Sequence, residues 1–120
     1  MKTLLVIYPH WPPSNLVGVH RVRLIANHLK GLEWSPTVLC VHEKDYEEPL
    51  AWETTQLVNP EVRGVKVRAR KPLKIWGKRL VGDIGLRGMR ALYQQAKCLL
   101  QEERFDCIWI SIPSWYPALL

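Results

Sequence analysis

Residues 10–21 read HWPPSNLVGVHR and gather the side chains of this chain best suited to handling an anion. Gly18 has no Cβ, so a ligand can approach its backbone closely. Arg21 offers a guanidinium to a phosphate or a hydroxyl, and the neighbouring His20 could line the same cleft. His10 and Trp11 present aromatic faces that stack well on the apolar surface of a ligand. Ser14 and Asn15 are helix-capping residues first and ligand contacts second. Each has a plainer explanation: a glycine that lets loop and helix pack, a solvated helix face for His20 and Arg21, a structural loop for His10 and Trp11. A smaller group, Ser111, Ser114 and Trp115, lies in the segment SIPSW.

The surrounding pattern says how these groups are positioned. Residues 3–8 (TLLVIY) form an unbroken apolar run, as in a strand covered on both faces. A stiff loop, 9–15, leads into a helix predicted over 16–30 that closes on Gly31 as its C′ residue. Val22, Ile25, Ala26 and Leu29 recur at helical spacing and predict the buried stripe, with Arg21, Arg23, Asn27 and Lys30 facing elsewhere. The start of such a helix carries unpaired N–H groups and about half a positive charge, which favours an anion.

A second strand is predicted at 36–41 and a long, functional or mobile loop at 42–60. A third strand at 64–69 alternates Val65, Val67 and Ala69 with Lys66, Arg68 and Arg70, which suggests one exposed face near an edge. Residues 71–88, broken by a proline and four glycines, predict irregular or short helical structure. A helix at 84–104 and a strand at 107–112 follow, and 117–120 resemble the first turn of another helix. The order β-α-β-β-α-β with continuous apolar strands predicts a Rossmann-like α/β fold whose sheet is mostly parallel and doubly wound. In such sheets ligands bind at the carboxyl edge, where the first loop and the Ser111–Ser114 turn would meet.

Composition excludes several classes. At 120 residues the chain is one domain, 48% hydrophobic, with no apolar run near the roughly 18 residues of a membrane span. The opening lacks the pattern of a signal peptide, so the expected location is cytoplasmic. Cys40, Cys98 and Cys107 lack CxxC spacing; no zinc site is expected, and Cys40 and Cys107 read as buried free thiols. The formal charge is +6, but residues 63–90 alone hold ten basic residues against Asp83, just after an acidic stretch with Glu43, Asp45, Glu47, Glu48 and Glu53. Within that window Lys74, Trp76, Lys78 and Arg79 sit among Ile75, Leu80 and Val81. A solvated surface is one reading; peripheral contact with an anionic membrane at its inner face is the other. Nucleic acid is not an expected partner, since no nucleic-acid-binding motif accompanies the charge.

Other phosphate-binding readings fail on their motifs. A dinucleotide site needs G-x-G-x-x-G after the first strand, where Pro12 and Pro13 stand instead, and the G-K-[ST] of a P-loop is missing. The run Trp11-Pro12-Pro13-Ser14-Asn15-Leu16-Val17-Gly18, then His20-Arg21, resembles the opening of family 4 glycosyltransferases, and RFDCIWISIPSWYPALL resembles a later strand and turn of that family. The resemblance implies a GT-B fold, two Rossmann-like domains facing across a cleft, of which this chain would be an incomplete, acceptor-side N-terminal half. It implies a retaining transferase moving a sugar from a nucleotide-sugar donor to a glycan or lipid-linked acceptor hydroxyl, as in polysaccharide biosynthesis, with no other cofactor and no metal. The family's donor-binding basic residues and E-x7-E motif belong to a C-terminal domain. Glu53 and Glu61 have that spacing but lie in an acidic, proline-interrupted loop. The isolated chain is therefore expected to be inactive and no catalytic residue is assigned. The alternative is a non-catalytic α/β binding module or a partner-dependent subunit of a split glycosyltransferase. An open sheet edge would also expose apolar surface and favour self-association.

Overall fold

The computed structural model describes residues 2–14, 17–46, 50–69, 74–75, 78–79 and 88–111. Four strands, β1 (Lys2–Ile7), β2 (Trp34–Val41), β3 (Arg63–Val67) and β6 (Cys107–Ile110), form one all-parallel sheet in the order β3-β2-β1-β6. A separate two-residue antiparallel pair joins β4 (Lys74–Ile75) to β5 (Lys78–Arg79). Two α-helices complete the set, α1 (Val17–Leu29) and α2 (Met89–Glu102). The expected α/β doubly wound architecture is present.

Handedness explains the layers. The chain steps from β1 to β2 to β3 in one direction, then crosses back over β1 to reach β6. Right-handed crossovers put α1 on one face and α2 on the other. The strand side chains divide accordingly. Leu4, Val6, Tyr8, Val38 and Cys40 pack with Val19, Val22 and Ala26 of α1. Leu5, Ile7, Leu39 and Val41 pack with Leu92, Ala96 and Leu99 of α2. Both faces of β1 and β2 are thus covered, which is why those runs show no polar alternation. Each fully buried leucine stabilises by about 1.5–3 kcal/mol.

The edges differ. β3 lies at one edge and keeps the predicted alternation, with Val65 and Val67 inward and Lys66 outward. β6 pairs with β1 from Leu4↔Cys107 to Ile7↔Ile110. Its register is pinned below the ladder: Asp106 N–H donates to the Thr3 carbonyl, and the Asp106 carboxylate accepts from Thr3 N–H at 2.8 Å and Thr3 Oγ1 at 3.3 Å. The Thr3 N–H bond, then the Thr3 hydroxyl and the nearby Arg104 and Lys2, hold the Asp106 carboxyl below its usual range.

Several sequence expectations change in detail. Gly31 is not a left-handed C′ residue; a 3-10 turn over Lys30–Leu32 extends α1, and Glu33 takes the left-handed conformation at φ 64°. Lys2 N–H closes that turn by donating to the Glu33 carbonyl. The buried stripe of α1 runs through Val19, Val22, Arg23 and Ala26, so Ile25 is exposed and Arg23 is not. The 42–60 connection is not featureless: it has 3-10 turns at Glu43–Asp45 and Trp52–Leu57. Asn27 of α1 ties it down, donating to the Leu57 carbonyl at 2.7 Å and accepting from Asn59 N–H at 2.8 Å. Where irregular or helical structure was predicted within 71–88, the described part is the β4–β5 pair. The expected helix turn at 117–120 lies outside the described residues.

Cys40 is a buried thiol, as expected, but Cys107 is exposed because β6 is an edge strand, and Cys98 is exposed on α2. Burial pushes the Cys40 thiol up to about 12, against a smaller opposing pull from Lys66. Cys98 and Cys107 should therefore react with a thiol reagent at pH 8 in the native chain, and Cys40 only after unfolding. Mass spectrometry of the labelled chain checks this; native labelling at Cys40 would contradict it.

Candidate functional site

The order β3-β2-β1-β6 reverses direction between β1 and β6. At that switch point the crossovers leave on opposite faces, which opens a crevice at the carboxyl ends of the two strands. Tyr8, Pro9, His10 and Trp11 leave β1 there, Ser111 leaves β6, and the first half of α1 stands above them. The predicted groups Arg21 and Ser111 meet in this place. The Arg21 Nη2 donates to Ser111 Oγ at 2.7 Å, bridging α1 to the end of β6. Ser111 is itself fixed, buried, with its N–H donating to the Ile7 carbonyl at 3.2 Å. Arg21 is exposed, so a permanent cation stands at the mouth of the crevice on a buried hydroxyl.

Tyr46, from the β2–β3 connection, clamps the loop after β1. Its hydroxyl accepts from Trp11 N–H at 2.8 Å and donates to the Pro9 carbonyl at 3.2 Å. The His10 ring stands between two tyrosines, 5.8 Å from Tyr8 and 5.4 Å from Tyr46 by ring centroids. His10 and Tyr46, both half-buried, border the crevice, and the buried Tyr8 ring backs them. Sequence reasoning missed Tyr46 because it lies in a segment read only as loop. Nothing in its local pattern signals a contact made across 35 residues.

Other predicted site residues go elsewhere. Trp11 is 5% exposed and packs in the α1-side core with Tyr8 and Val19, so it is structural rather than a surface for an acceptor. Ser14 is buried, with its N–H donating to the Trp11 carbonyl, and it bridges to Leu50. Gly18 sits against Tyr8: a Cβ built on Gly18 runs into the Tyr8 hydroxyl. The close approach that glycine permits is thus made by this protein's own tyrosine. The signal was present in the alternation, because Tyr8 follows Leu4 and Val6 on the α1 side of the sheet. His20, half-buried, lies within 3.2 Å of Arg23 through its Nδ1. Asn15, Ser114 and Trp76 lie outside the described residues, as do the side chains of Lys74, Lys78 and Arg79.

The basic stretch and the acidic segment before it are partners. Lys66 Nζ lies 2.9 Å from Glu43 Oε2. Arg68 grips Asp45 through Nε at 2.7 Å and Nη2 at 3.0 Å. Arg63 Nη1 contacts the Glu103 carboxylate at 2.6 Å. Among the described residues Arg63, Lys66 and Arg68 each have a carboxylate partner, which weakens the field the sequence suggested for that end of the stretch. Among the described residues no group of three His, Cys, Asp or Glu side chains could hold a metal ion, and no helix is long and apolar enough to cross a membrane.

A second depression, of about 310 Å³, lies between α2 and the open side of β6. Ile7, Ala96, Ile108 and Ile110 floor it, with Tyr93 and Leu100 at its rim. Ile108 is 44% exposed, the apolar surface that an open edge was expected to leave. Its lining carries one charged group, Lys97, and no constellation for chemistry. No family model, curated protein or solved structure matches this chain.

Proposed function

We propose that this chain forms the acceptor-side wall of a sugar-transfer cleft, as in a two-domain, nucleotide-sugar-dependent glycosyltransferase. The Arg21–Ser111 bridge at the β1–β6 switch point is the observation that carries the reading. Sugar transfer from a nucleotide donor develops negative charge on the departing diphosphate, and a fixed guanidinium beside a hydroxyl stabilises such charge without reorganising. The half-buried rings of His10 and Tyr46 suit the apolar face of a sugar ring. No residue here is proposed as nucleophile or general base; the role is positioning. Because the Tyr8 hydroxyl fills the space over Gly18, the anion contact is assigned to Arg21 rather than to the helix backbone.

That same tyrosine favours a second reading, a non-catalytic α/β module whose crevice binds without turnover. Two-dimensional NMR with nucleotide-diphosphate sugars separates the outcomes. The expected result is saturable shifts at Arg21, Ser111 and His10, lost in Arg21→Gln, without turnover by these 120 residues alone. Shifts from glycans but not from nucleotide sugars favour the module. Absence of any saturable shift at millimolar ligand overturns both.

A further inference from the structure

Arg23 lies on a different flank of α1 from Arg21 and does a different job. His20, Arg23 and Asn27 follow at i, i+3, i+7 and share one stripe of the helix. Asn27 shows where that stripe faces, because its amide bonds the Leu57 carbonyl and Asn59 N–H of the β2–β3 connection. One turn towards the start of α1, Arg23 is 8% exposed. Its Nη2 contacts His20 Nδ1 at 3.2 Å, and its Nε is fully buried with no acceptor among the described residues. No carboxylate among the described residues pairs with it. Arg63, Lys66 and Arg68, all more exposed, each have one.

That arrangement is costly as it stands. A guanidinium keeps its charge at any ordinary pH, so burial cannot neutralise it. Burying a charge is tolerated when a counter-charge or a full set of hydrogen bonds compensates. Histidine is no counter-charge. It accepts from Arg23 only when Nδ1 is unprotonated, which leaves the ring neutral with its proton on Nε2. The pair is thus a fixed cation with an unused Nε–H beside a neutral ring that still has a donor.

We propose that the Arg23–His20 pair is a binding site for a phosphate-type oxyanion, separate from the Arg21–Ser111 crevice and independent of the glycosyltransferase reading. Planar, forked N–H donors match a tetrahedral oxyanion better than a single point charge does. Inorganic phosphate is the probe, with sodium chloride at matched ionic strength as the control. Titrated into the 120-residue chain, phosphate should shift the Arg23 Nε–H resonance saturably and raise the melting temperature, and chloride should do neither. Arg23→Gln should weaken phosphate binding by at least about tenfold, the equivalent of one charge-assisted hydrogen bond. Arg23→Lys should weaken it too, since the charge remains but the fork is lost, while Lys97→Gln, at an exposed position of α2, should leave it unchanged. The idea is overturned if the Arg23 Nε–H resonance of the unaltered chain does not respond to phosphate, or responds equally to chloride. Unchanged phosphate affinity in a folded Arg23→Gln chain overturns it as well. The resonance measurement keeps the test decisive if that variant fails to fold.

Discussion

Gly18→Ala is expected to lower the stability of this domain by about 1–2 kcal/mol, although the same substitution in an ordinary helix raises it. In an exposed helical turn alanine is preferred to glycine by up to about 1 kcal/mol. Here the added methyl meets the Tyr8 hydroxyl at a separation that side chains do not adopt, and crowds the end of the ring as well. Tyr8 is buried in the cluster that includes Trp11, Val19 and Val22, so the ring cannot swing away without vacating core volume. Overpacking of this kind costs about 1–3 kcal/mol, which outweighs the gain in helix propensity.

The companion variant makes the argument sharp. Tyr8→Phe removes the oxygen that the methyl strikes while leaving the ring in place. In that background Gly18→Ala should be close to neutral, because the remaining ring contact at 3.1 Å needs a shift of only a few tenths of an ångström. Urea denaturation of the four chains gives the coupling energy directly. A Gly18→Ala chain at least as stable as the parent would show that Tyr8 does not determine the need for glycine. Equal effects of the substitution in both backgrounds would show the same. The measurement also bears on function: if Tyr8 is what Gly18 accommodates, a ligand reaches that backbone only by displacing a buried ring.

The sheet was legible in the sequence because its signals are local. Continuous apolar runs at β1 and β2 announce strands covered on both faces, and the alternation at β3 announces an edge. The Arg21–Ser111 meeting was legible only at the level of the sheet's carboxyl edge; the bond itself spans 90 residues. What escaped was set by contacts that no local pattern encodes. Arg23 looks like a solvated helix residue by type, yet its position beside Val19, Val22 and Ala26 buries it. Trp11 looks like a ligand platform in a polar loop, yet the loop turns it into the core. The acidic and basic stretches read as separate fields, but parallel pairing of β2 with β3 brings the turn after β2 beside Lys66 and Arg68 at the end of β3. Strand register converted a charge asymmetry into ion pairs.

Asp45→Ala is expected to cost about 2–3 kcal/mol at neutral pH, more than removal of a surface ion pair would. The Asp45 carboxylate is 3% exposed and has three donors: Arg68 Nε, Arg68 Nη2 and the Ala69 N–H at 2.9 Å. Arg68 is largely exposed and can turn to water when its partner is lost, which limits its share of the loss. The Ala69 N–H has no such freedom, because the chain there has just left β3. Truncation therefore leaves a half-buried backbone donor unsatisfied and unties the Glu43–Asp45 turn from the end of that strand. Asp45→Asn keeps an acceptor for Ala69 and should cost less. The Arg68 hydrogen bonds first, then the Ala69 N–H, hold the Asp45 carboxyl below its ordinary range against the opposing effect of burial. A carboxyl lowered by folding stabilises the folded state fully above the pKa it has when unfolded, and that contribution vanishes as pH falls through its folded value. The gap in urea midpoint between the parent chain and Asp45→Asn should accordingly be constant from pH 7 down to about pH 5 and close below about pH 4. A gap that persists unchanged into strong acid, or no gap at pH 7, would remove the carboxylate from the forces that hold the β2–β3 connection against the sheet.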